Sequence, residues 1–262
     1  MSPHTWDARG YDASFSFVTS YGAALLDLLD AQPGERVLDL GCGTGHQGAA
    51  LVALGADVVG IDADPAMLAV ARTEHPELRV ELVDAQDADA VRAAAGAPLD
   101  AVLSNAAMHW MPRQDDLVAG IAAVLRSGGR LVAEMGGGAN VARTTEAIRT
   151  GRAAVGLDPT VASSWTFPTA GETASRLERH GFDVHLVQCF DRMTPLAAGD
   201  TTSGWAGMFG AALVADVPDA DRATFDAVVD QRAHELGLDR RPDGEPGWWA
   251  DYVRLRMVAV RR

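Results

Sequence analysis

Short apolar runs alternate with amphipathic stretches through the first half of the chain. The runs at 36–40, 57–61, 78–83, 99–104 and 130–135 are rich in Val, Leu and Ile, which is typical of buried strands. Between them, apolar residues recur at helical spacing over 45–54, 65–74, 87–95 and 114–125. Strands that alternate with helices of about ten residues predict βαβ units and a parallel sheet, and hence an α/β fold.

The second half of the chain follows a less regular pattern. It predicts helices over 141–155 and 173–180 and a strand over 182–190. Residues 201–236 are predicted to be largely helical, with a break at Pro218. Residues 252–260, "YVRLRMVAV", alternate apolar and arginine side chains, which predicts a strand with one solvated side.

Composition narrows the class of protein. The chain has 262 residues, a length that suits one large α/β domain or one domain with a sizeable insertion. With 48% hydrophobic and 22% charged residues, its composition is that of an ordinary globular protein. The formal net charge of −14, with no basic block, argues against nucleic acid as a partner. The chain has no apolar run long enough for a membrane span and no signal pattern at its start, so a cytoplasmic protein is expected.

The basic residues exclude two further classes. All 22 of them are arginines, so the chain lacks the lysine that a Walker phosphate loop or a pyridoxal phosphate enzyme requires. Its histidines and two cysteines show no zinc-ligand spacing along the chain, and no metal is predicted.

A glycine loop follows the first predicted strand in "RVLDLGCGTGH". Gly41, Gly43 and Gly45 place the third glycine one position earlier than in the G-x-G-x-x-G loop of dinucleotide folds, and His46 takes the sixth position. That glycine allows the close helix packing that a pyrophosphate site needs. Its displacement makes a nicotinamide oxidoreductase a poor alternative.

Three acidic residues surround the loop in sequence. Asp39 lies just before it, where a carboxylate disfavours pyrophosphate and favours a cationic ligand. Asp62 ends the next strand and is placed to accept both hydroxyls of a ribose, while Asp84 follows the third strand, where an adenine amino group could bind. Together they predict a site for a cationic amino acid joined to an adenine nucleoside.

Four motifs in this order resemble the class I S-adenosylmethionine (SAM)-dependent methyltransferases. They are "VLDLGCGTG", "VVGIDADPAMLAVAR", "VDAQD" and "LDAVLSNAAMHWM", spread over about 32–135. The resemblance implies a Rossmann-like seven-stranded sheet in the order 3-2-1-4-5-7-6, with strand 7 antiparallel and helices on both faces. It also implies SAM as cofactor and S-adenosylhomocysteine as product. Within that superfamily, "SNAAMHW" resembles the trans-aconitate methyltransferase-like group of small-molecule enzymes.

The resemblance also implies a domain organisation. Residues 1–30 would form a helical lid, 31–190 the SAM-binding core, 191–247 a helical cap over the acceptor site, and 248–262 the final strand of the core sheet. Residues expected to bind the cofactor follow the matched motifs: Asp39, Gly41, Gly43, Asp62, Ala63, Met67, Asp84, Ala85, Gln86 and Asn105.

Two residues are candidates for catalysis. His109 follows the fourth strand and titrates near neutral pH, which suits an acid or base, although packing of the "SNAAMHW" turn would explain it as well. Tyr11 lies in the expected lid.

The acceptor is expected to be a small molecule, taken to be a bacterial secondary metabolite because the composition resembles that of high-GC genomes. Carboxylate O-methylation and C- or N-methylation of an aromatic ring such as an indole both stay open. The first would use an arginine of the cap, and the second its aromatic residues. A SAM-binding protein with another activity, such as cyclisation, is the alternative. Neither a nucleic acid nor a membrane is expected as partner, and the protein is expected to be a monomer or homodimer.

Overall fold

The computed structural model describes residues 16–96, 98–241 and 243–262, without the side chains of 16–21 and 23. Apolar segments of the chain form its strands. The strands are β1 (Arg36–Leu40), β2 (Asp57–Asp62), β3 (Arg79–Leu82), β4 (Leu99–Asn105), β5 (Leu125–Gly136), β6 (Phe182–Pro195) and β7 (Trp249–Arg261).

Helices connect the strands. They are α1 (Ser16–Leu29), α2 (His46–Ala53), α3 (Pro65–Glu74), α4 (Ala88–Ala95), α5 (Gln114–Val124), α6 (Ala142–Ala154), α7 (Ala170–Arg179), α8 (Thr202–Phe209), α9 (Ala211–Val214) and α10 (Arg222–Glu235), with 3-10 turns at Met108–Trp110 and Asp219–Asp221.

The strands form one sheet in the order β3-β2-β1-β4-β5-β7-β6, with β7 antiparallel. This confirms the predicted α/β, Rossmann-like fold. The central pairs are parallel, and Leu38 of β1 lies opposite Val59 of β2 and Val102 of β4. Since parallel strands share one direction, the carboxyl ends of β1, β2 and β4 meet at the same edge, where the glycine loop begins.

The central strands are apolar at successive positions because helices cover both faces of the sheet. Successive residues of β1 belong to two different apolar clusters, with Val37 in one and Leu38 in the other. Leu25 and Leu29 of α1 join the first of these clusters, and Val118 and Ile121 of α5 join the second. This burial on both faces explains why the strands read as continuous hydrophobic runs.

Several boundaries in the second half differ from the expected ones. β6 continues to Pro195, beyond the expected end at 190, and β5 begins at Leu125 directly after α5. The region expected to be largely helical consists of α8, the short α9, a 3-10 turn after Pro218, and α10. β6 is an edge strand with many half-exposed residues, so its apolar pattern is weaker than that of the central strands.

The chain divides into two compact units. One contains the described part of residues 1–135 with 168–188 and 255–262, and holds most of the sheet. The other contains residues 136–167 and 189–254. This second, helical unit includes the expected cap of 191–247 together with α6, which the sequence analysis assigned to the core.

The helical unit has a core of its own. Phe225 and Val229 of α10 are fully buried and pack with Ile148 of α6. Arg152, 1% exposed, donates to both carboxylate oxygens of Asp216 and to the carbonyl of Leu213. These bonds satisfy a buried guanidinium and tie α6 to the end of α9.

A capping box starts α7. The Thr169 hydroxyl accepts from the backbone N–H of Glu172, and the Glu172 carboxylate accepts from that of Thr169. Thr169→Ala is expected to lower the free energy of unfolding by about 1 kcal/mol, because one orphan amide loses its partner. Urea titration measures the loss. Thr169→Ser is the control and should lose much less, and equal losses would show that packing matters more than the cap.

Among the helices that the structure describes, none combines the length and the apolar character needed to span a membrane.

Candidate functional site

The glycine loop leaves β1 and turns sharply into α2. The backbone amides of Gly41 and Cys42 both donate to the carbonyl of Ile61 in β2, at 2.8 and 3.0 Å. Gly41 has a φ of +73°, and a Cβ added there would lie 2.2 Å from the Cβ of Ala107. Only glycine fits this position, because a side chain would collide with the turn after β4.

Gly43 lies in a different environment. Its φ is +54°, yet none of the described residues comes within 4 Å of the place where a Cβ would stand. Its amide donates to the Asp62 carboxylate at 2.9 Å. Within the described part of the chain, the loop therefore leaves its backbone uncovered at Gly43, as expected of a loop that approaches a ligand closely.

Asp62 ends β2 and orders the loop. One carboxylate oxygen accepts from Gly43 and the other from the amide of Asp64, each at 2.9 Å. Asp64 in turn caps α3 by accepting from the Ala66 amide at 2.7 Å. Burial raises the pKa of Asp62, and these backbone bonds oppose the rise. The carboxylate lies beside the glycine loop, where its contact with a ribose stays a prediction, and the neighbouring Ala63 is exposed.

Asp39 is buried beneath α2, with 1% of its surface exposed. A Cβ on Gly48 of α2 would lie 3.1 Å from its Oδ2, and that oxygen has no hydrogen-bond partner among the described residues. Burial raises the pKa of Asp39 to about 7, with the Gly48 amide opposing the rise and Asp62 adding to it. A buried, unsatisfied carboxylate oxygen is costly alone and suits a site that receives a cation.

The expected adenine edge is a fixed turn after β3. The Asp84 carboxylate accepts from the backbone and side-chain amides of Gln86, at 2.9 and 3.2 Å. The side-chain Oε1 of Gln86 accepts from the backbone amide of Arg113 at 2.9 Å, which ties this turn to the start of α5. Ala85 is buried in the apolar core, and Met67 is buried in the first turn of α3.

The turn after β4 faces the glycine loop. Asn105 ends β4 opposite Glu134 of β5, and the Ala106 amide donates to the Glu134 carbonyl at 2.8 Å. Ala106 has a φ of +56°, a left-handed conformation that a non-glycine residue adopts at a cost in free energy. This conformation directs Ala107 to its contact with Gly41.

His109 lies in the 3-10 turn that follows. It is 8% exposed, and its ring centre lies 5.3 Å from that of Trp110. The Gln114 side-chain amide donates to the carbonyls of Met108 and Met111, both at 2.7 Å, and so fixes the turn around His109. Sequence reasoning missed Gln114, although its place at the first position of an apolar helix was a usable signal.

A buried ion pair next to Asn105 was also missed. Glu134 of β5 is 1% exposed and accepts from Nε and Nη2 of Arg256 in β7, at 2.9 and 2.7 Å. Strand periodicity places Asp39, Asn105, Glu134 and Arg256 on one face of the sheet. Arg256 was visible in sequence only as one arginine of an alternating strand.

The remaining candidates have different outcomes. Tyr11 and the first half of the expected lid lie outside the described residues. Three arginines of the expected cap are paired on the surface of the helical unit: Arg222 with Asp226, Arg232 with Glu146 and Glu235, and Arg240 with Asp239. The fourth, Arg192, has its guanidinium 5.0 Å from the ring centre of Phe190.

The aromatic residues of the helical unit contact one another. Trp205 is 6% exposed, lies 6.0 Å from Trp165 between ring centres, and donates to the Tyr252 hydroxyl at 2.9 Å. Burial raises the pKa of Tyr252 to about 12. Trp205 and Tyr252 thus belong to the packed interior of the unit, and an aromatic acceptor stays an untested alternative.

Comparison with known proteins identifies relatives of this chain. A methyltransferase domain family matches residues 38–133. An uncharacterized methyltransferase of Schizosaccharomyces pombe is 31% identical over 99% of both chains. A trans-aconitate 2-methyltransferase of Methylobacterium radiotolerans is 31% identical over 74% of this chain and 69% of its own, whereas the Azoarcus enzyme of that name matches over about half of each, 50% and 51%.

Solved structures agree on the fold. A putative methyltransferase from Bacillus halodurans superposes with a TM-score of 0.60 at 18% identity, over 92% of this chain and 98% of its own. A cyclase superposes with a TM-score of 0.55 at 18% identity, over 93% of this chain and 81% of its own, which at this identity is a likeness of fold alone. The family match and the methyltransferase relative that aligns over the full chain agree with the glycine loop and with the acids near the ends of β1 and β2. The chain therefore belongs to the class I SAM-dependent methyltransferases.

Proposed function

We propose that the protein transfers the methyl group of SAM to a carboxylate oxygen of a small organic acid. The observation that carries this proposal is the alignment with the Methylobacterium radiotolerans trans-aconitate 2-methyltransferase, which extends over 195 residues and hence beyond the family match at 38–133. When bound, SAM would supply the methyl group: a carboxylate oxygen of the acceptor would attack the methyl carbon in line, and the C–S bond would break as the C–O bond forms, with the sulfur leaving as a neutral thioether.

The chain's own residues suit a carboxylate acceptor. A carboxylate is already ionised at neutral pH, so no residue has to remove a proton from it, and alignment and exclusion of water are the main requirements. The turn at Met108–Trp110, fixed by Gln114, supplies a rigid wall next to the glycine loop. His109 then orients the acceptor by packing and hydrogen bonding and transfers no proton.

Arg256 is the arginine we assign to the acceptor carboxylate. A guanidinium has five N–H donors in a fixed fork, so it can hold one carboxylate while it is held by another. Its pairing with buried Glu134 fixes its position on the sheet face that also carries Asp39 and Asn105. We choose it over the cap arginines because it lies on this sheet face, next to Asn105 and the end of β4.

Methyl-labelled SAM tests the reaction type directly. The protein is incubated with a panel of di- and tricarboxylic acids and, separately, with indoles and phenols. Label that transfers to an acid and is released as methanol by mild alkali is a methyl ester, as expected here. Alkali-stable label would indicate methylation of carbon, nitrogen or a phenol, and saturable SAM binding without any transfer would favour a different activity of the same fold.

Substitution of His109 tests its role. His109→Gln is expected to retain turnover within about threefold, because general acid–base catalysis is worth about 100-fold or more where it operates. Initial rates with saturating acid and SAM measure the effect, and S-adenosylhomocysteine binding checks that the turn is intact. A loss of 100-fold or more with unchanged cofactor binding would assign a proton-transfer role to His109.

Substitution of Arg256 tests acceptor recognition. Arg256→Lys is expected to raise the KM for the acid by about tenfold or more with a smaller change in kcat, because a lysine keeps the charge next to Glu134 but cannot bind bidentately. Arg222→Lys, in an exposed pair with Asp226, is the matched control and should behave like the wild type. If the two variants have the same KM, the acceptor carboxylate binds elsewhere.

A further inference from the structure

Two histidines far apart in sequence meet beside the glycine loop. His46 is the first residue of α2, directly after Gly45, and His75 follows the last residue of α3, Glu74. A Cβ on Gly45 would lie 3.3 Å from the ring of His75, which shows how closely the end of α3 packs against the loop. Because 29 residues separate the histidines, spacing along the chain did not predict this cluster.

The cluster has the dimensions of a metal site. His46 Nδ1 lies 3.2 Å from His75 Nε2. One ring nitrogen of each histidine and a Glu74 carboxylate oxygen all lie within 4.8 Å of one another. A tetrahedral zinc ion bound at about 2.0–2.1 Å to two imidazoles separates their nitrogens by roughly 3.3 Å. The observed separation therefore suits a shared ion as well as a hydrogen bond between the rings.

The ligands select the kind of ion. Two imidazoles and one carboxylate are the donor set of zinc and related first-row divalent ions, whereas magnesium and calcium prefer oxygen ligands alone. The Glu77 carboxylate lies 3.7 Å from His75 Nδ1, the nitrogen on the far side of the ring. At this distance the carboxylate makes no hydrogen bond to the ring, but its negative charge favours a cation bound there.

We propose that His46, His75 and Glu74 form a binding site for Zn²⁺ or a similar first-row divalent ion. The histidines are half-buried and Glu74 is exposed, so an ion can enter from solvent and keep a water as its fourth ligand. The ion would join the first residue of α2 to the end of α3 and so stabilise the packing next to the glycine loop. The proposal does not depend on the nature of the methyl acceptor.

The test uses the full chain, freed of metal with a chelator and titrated with zinc chloride in a calorimeter. One zinc per chain is expected, with a rise in melting temperature as the site fills. Loss of a ligand should weaken binding by at least about 100-fold in His46→Ala and His75→Ala, since even loss of a residue that only orients a ligand costs 10–100-fold. His185→Ala, in an exposed histidine of β6, is the matched control.

The visible absorption of bound Co²⁺ reports metal coordination directly, and it would not change if the histidines only stabilised the fold. Co²⁺ bound to the wild type and to His185→Ala should give the intense visible absorption of a four-coordinate site, and His75→Ala should lose it. Binding of S-adenosylhomocysteine verifies that each variant is folded. The proposal is overturned if the wild type shows no saturable zinc binding, or if all variants bind zinc equally. In the first case the contact is a hydrogen bond between imidazoles only, and in the second the ion binds elsewhere.

Discussion

Gly41→Ala is expected to lower the free energy of unfolding by about 2–5 kcal/mol. A Cβ at this position would lie 2.2 Å from the Cβ of Ala107, and neither atom belongs to a flexible side chain that could move aside. Overpacking of this kind costs about 1–3 kcal/mol, and the left-handed backbone at φ +73° adds about 1–2 kcal/mol for a non-glycine residue. Urea titration followed by far-UV circular dichroism measures the loss.

Gly43→Ala should behave differently. Its φ of +54° costs about 1–2 kcal/mol, but the described residues leave the position of the Cβ open. The variant should fold and yet bind SAM at least about 100-fold more weakly, because the methyl group takes space proposed for the cofactor. Gly34→Ala is the matched control: its φ is +84° and its Cβ position is equally open, but it lies in the turn before β1.

These three variants separate the contributions of backbone strain, steric collision and ligand contact. Gly34→Ala and Gly43→Ala should lose similar stability, and only Gly43→Ala should lose SAM affinity. If Gly43→Ala binds SAM like the wild type, the cofactor does not approach the loop there. If Gly41→Ala is as stable as Gly34→Ala, the turn after β4 can yield to the added methyl.

Asp39→Asn is expected to weaken SAM binding on the order of 10- to 100-fold at pH 8. A buried carboxylate interacts strongly with a cationic ligand because the surroundings screen poorly, and the variant removes that charge without changing the size of the side chain. Calorimetric titration with SAM measures the change. Titration with 5′-methylthioadenosine, which lacks the amino acid, is the control and should change by less than about threefold.

The same residue should make the stability of the ligand-free protein depend on pH. The folded-state pKa of Asp39, about 7, lies above its ordinary value of 3.8, so the folded state holds a proton that the unfolded state releases between these values. The contribution of Asp39 to stability is therefore present below about pH 4 and is lost as the pH rises to 7, by roughly 4 kcal/mol at most. The stability of Asp39→Asn relative to the wild type should rise over this interval.

Two results would contradict the role assigned to Asp39. Equal weakening of SAM and 5′-methylthioadenosine binding would mean that the residue shapes the loop and does not attract a charge. Parallel pH profiles of the wild type and Asp39→Asn would mean that the carboxyl is ionised throughout. In that case an unseen partner stabilises Oδ2.

The first half of the fold was predictable because its signals are local. The glycines, Pro65 at the start of α3 and the apolar runs of β1 and β2 each depend on a few neighbouring residues. The position of β7 between β5 and β6 came from the resemblance to a family, since apolar periodicity contains no information about strand order. The ends of the later helices were predicted less well, because their packing depends on two segments of the helical unit that are distant in sequence.

The candidate site was predictable residue by residue but not as an arrangement. Asp39 and Asp62 could be found from their places before and after the glycine loop. Three contacts join residues that are 29 to 122 positions apart in the chain. Ala107 packs against Gly41, Glu134 pairs with Arg256, and His46 contacts His75. Such contacts are products of tertiary packing, and a single sequence has no pattern that records them.

The place of β7 in the sheet has a consequence for the order of folding during synthesis. β7 lies between β5 and β6, so β6 is synthesised before the strand on which it pairs. Asp251 of β7 also accepts hydrogen bonds from Arg143 and Thr144 of α6, which leave the ribosome more than 100 residues earlier. Until β7 emerges, β5 and β6 have unpaired edges that can bind another chain, and a chaperone has the longest time to act there.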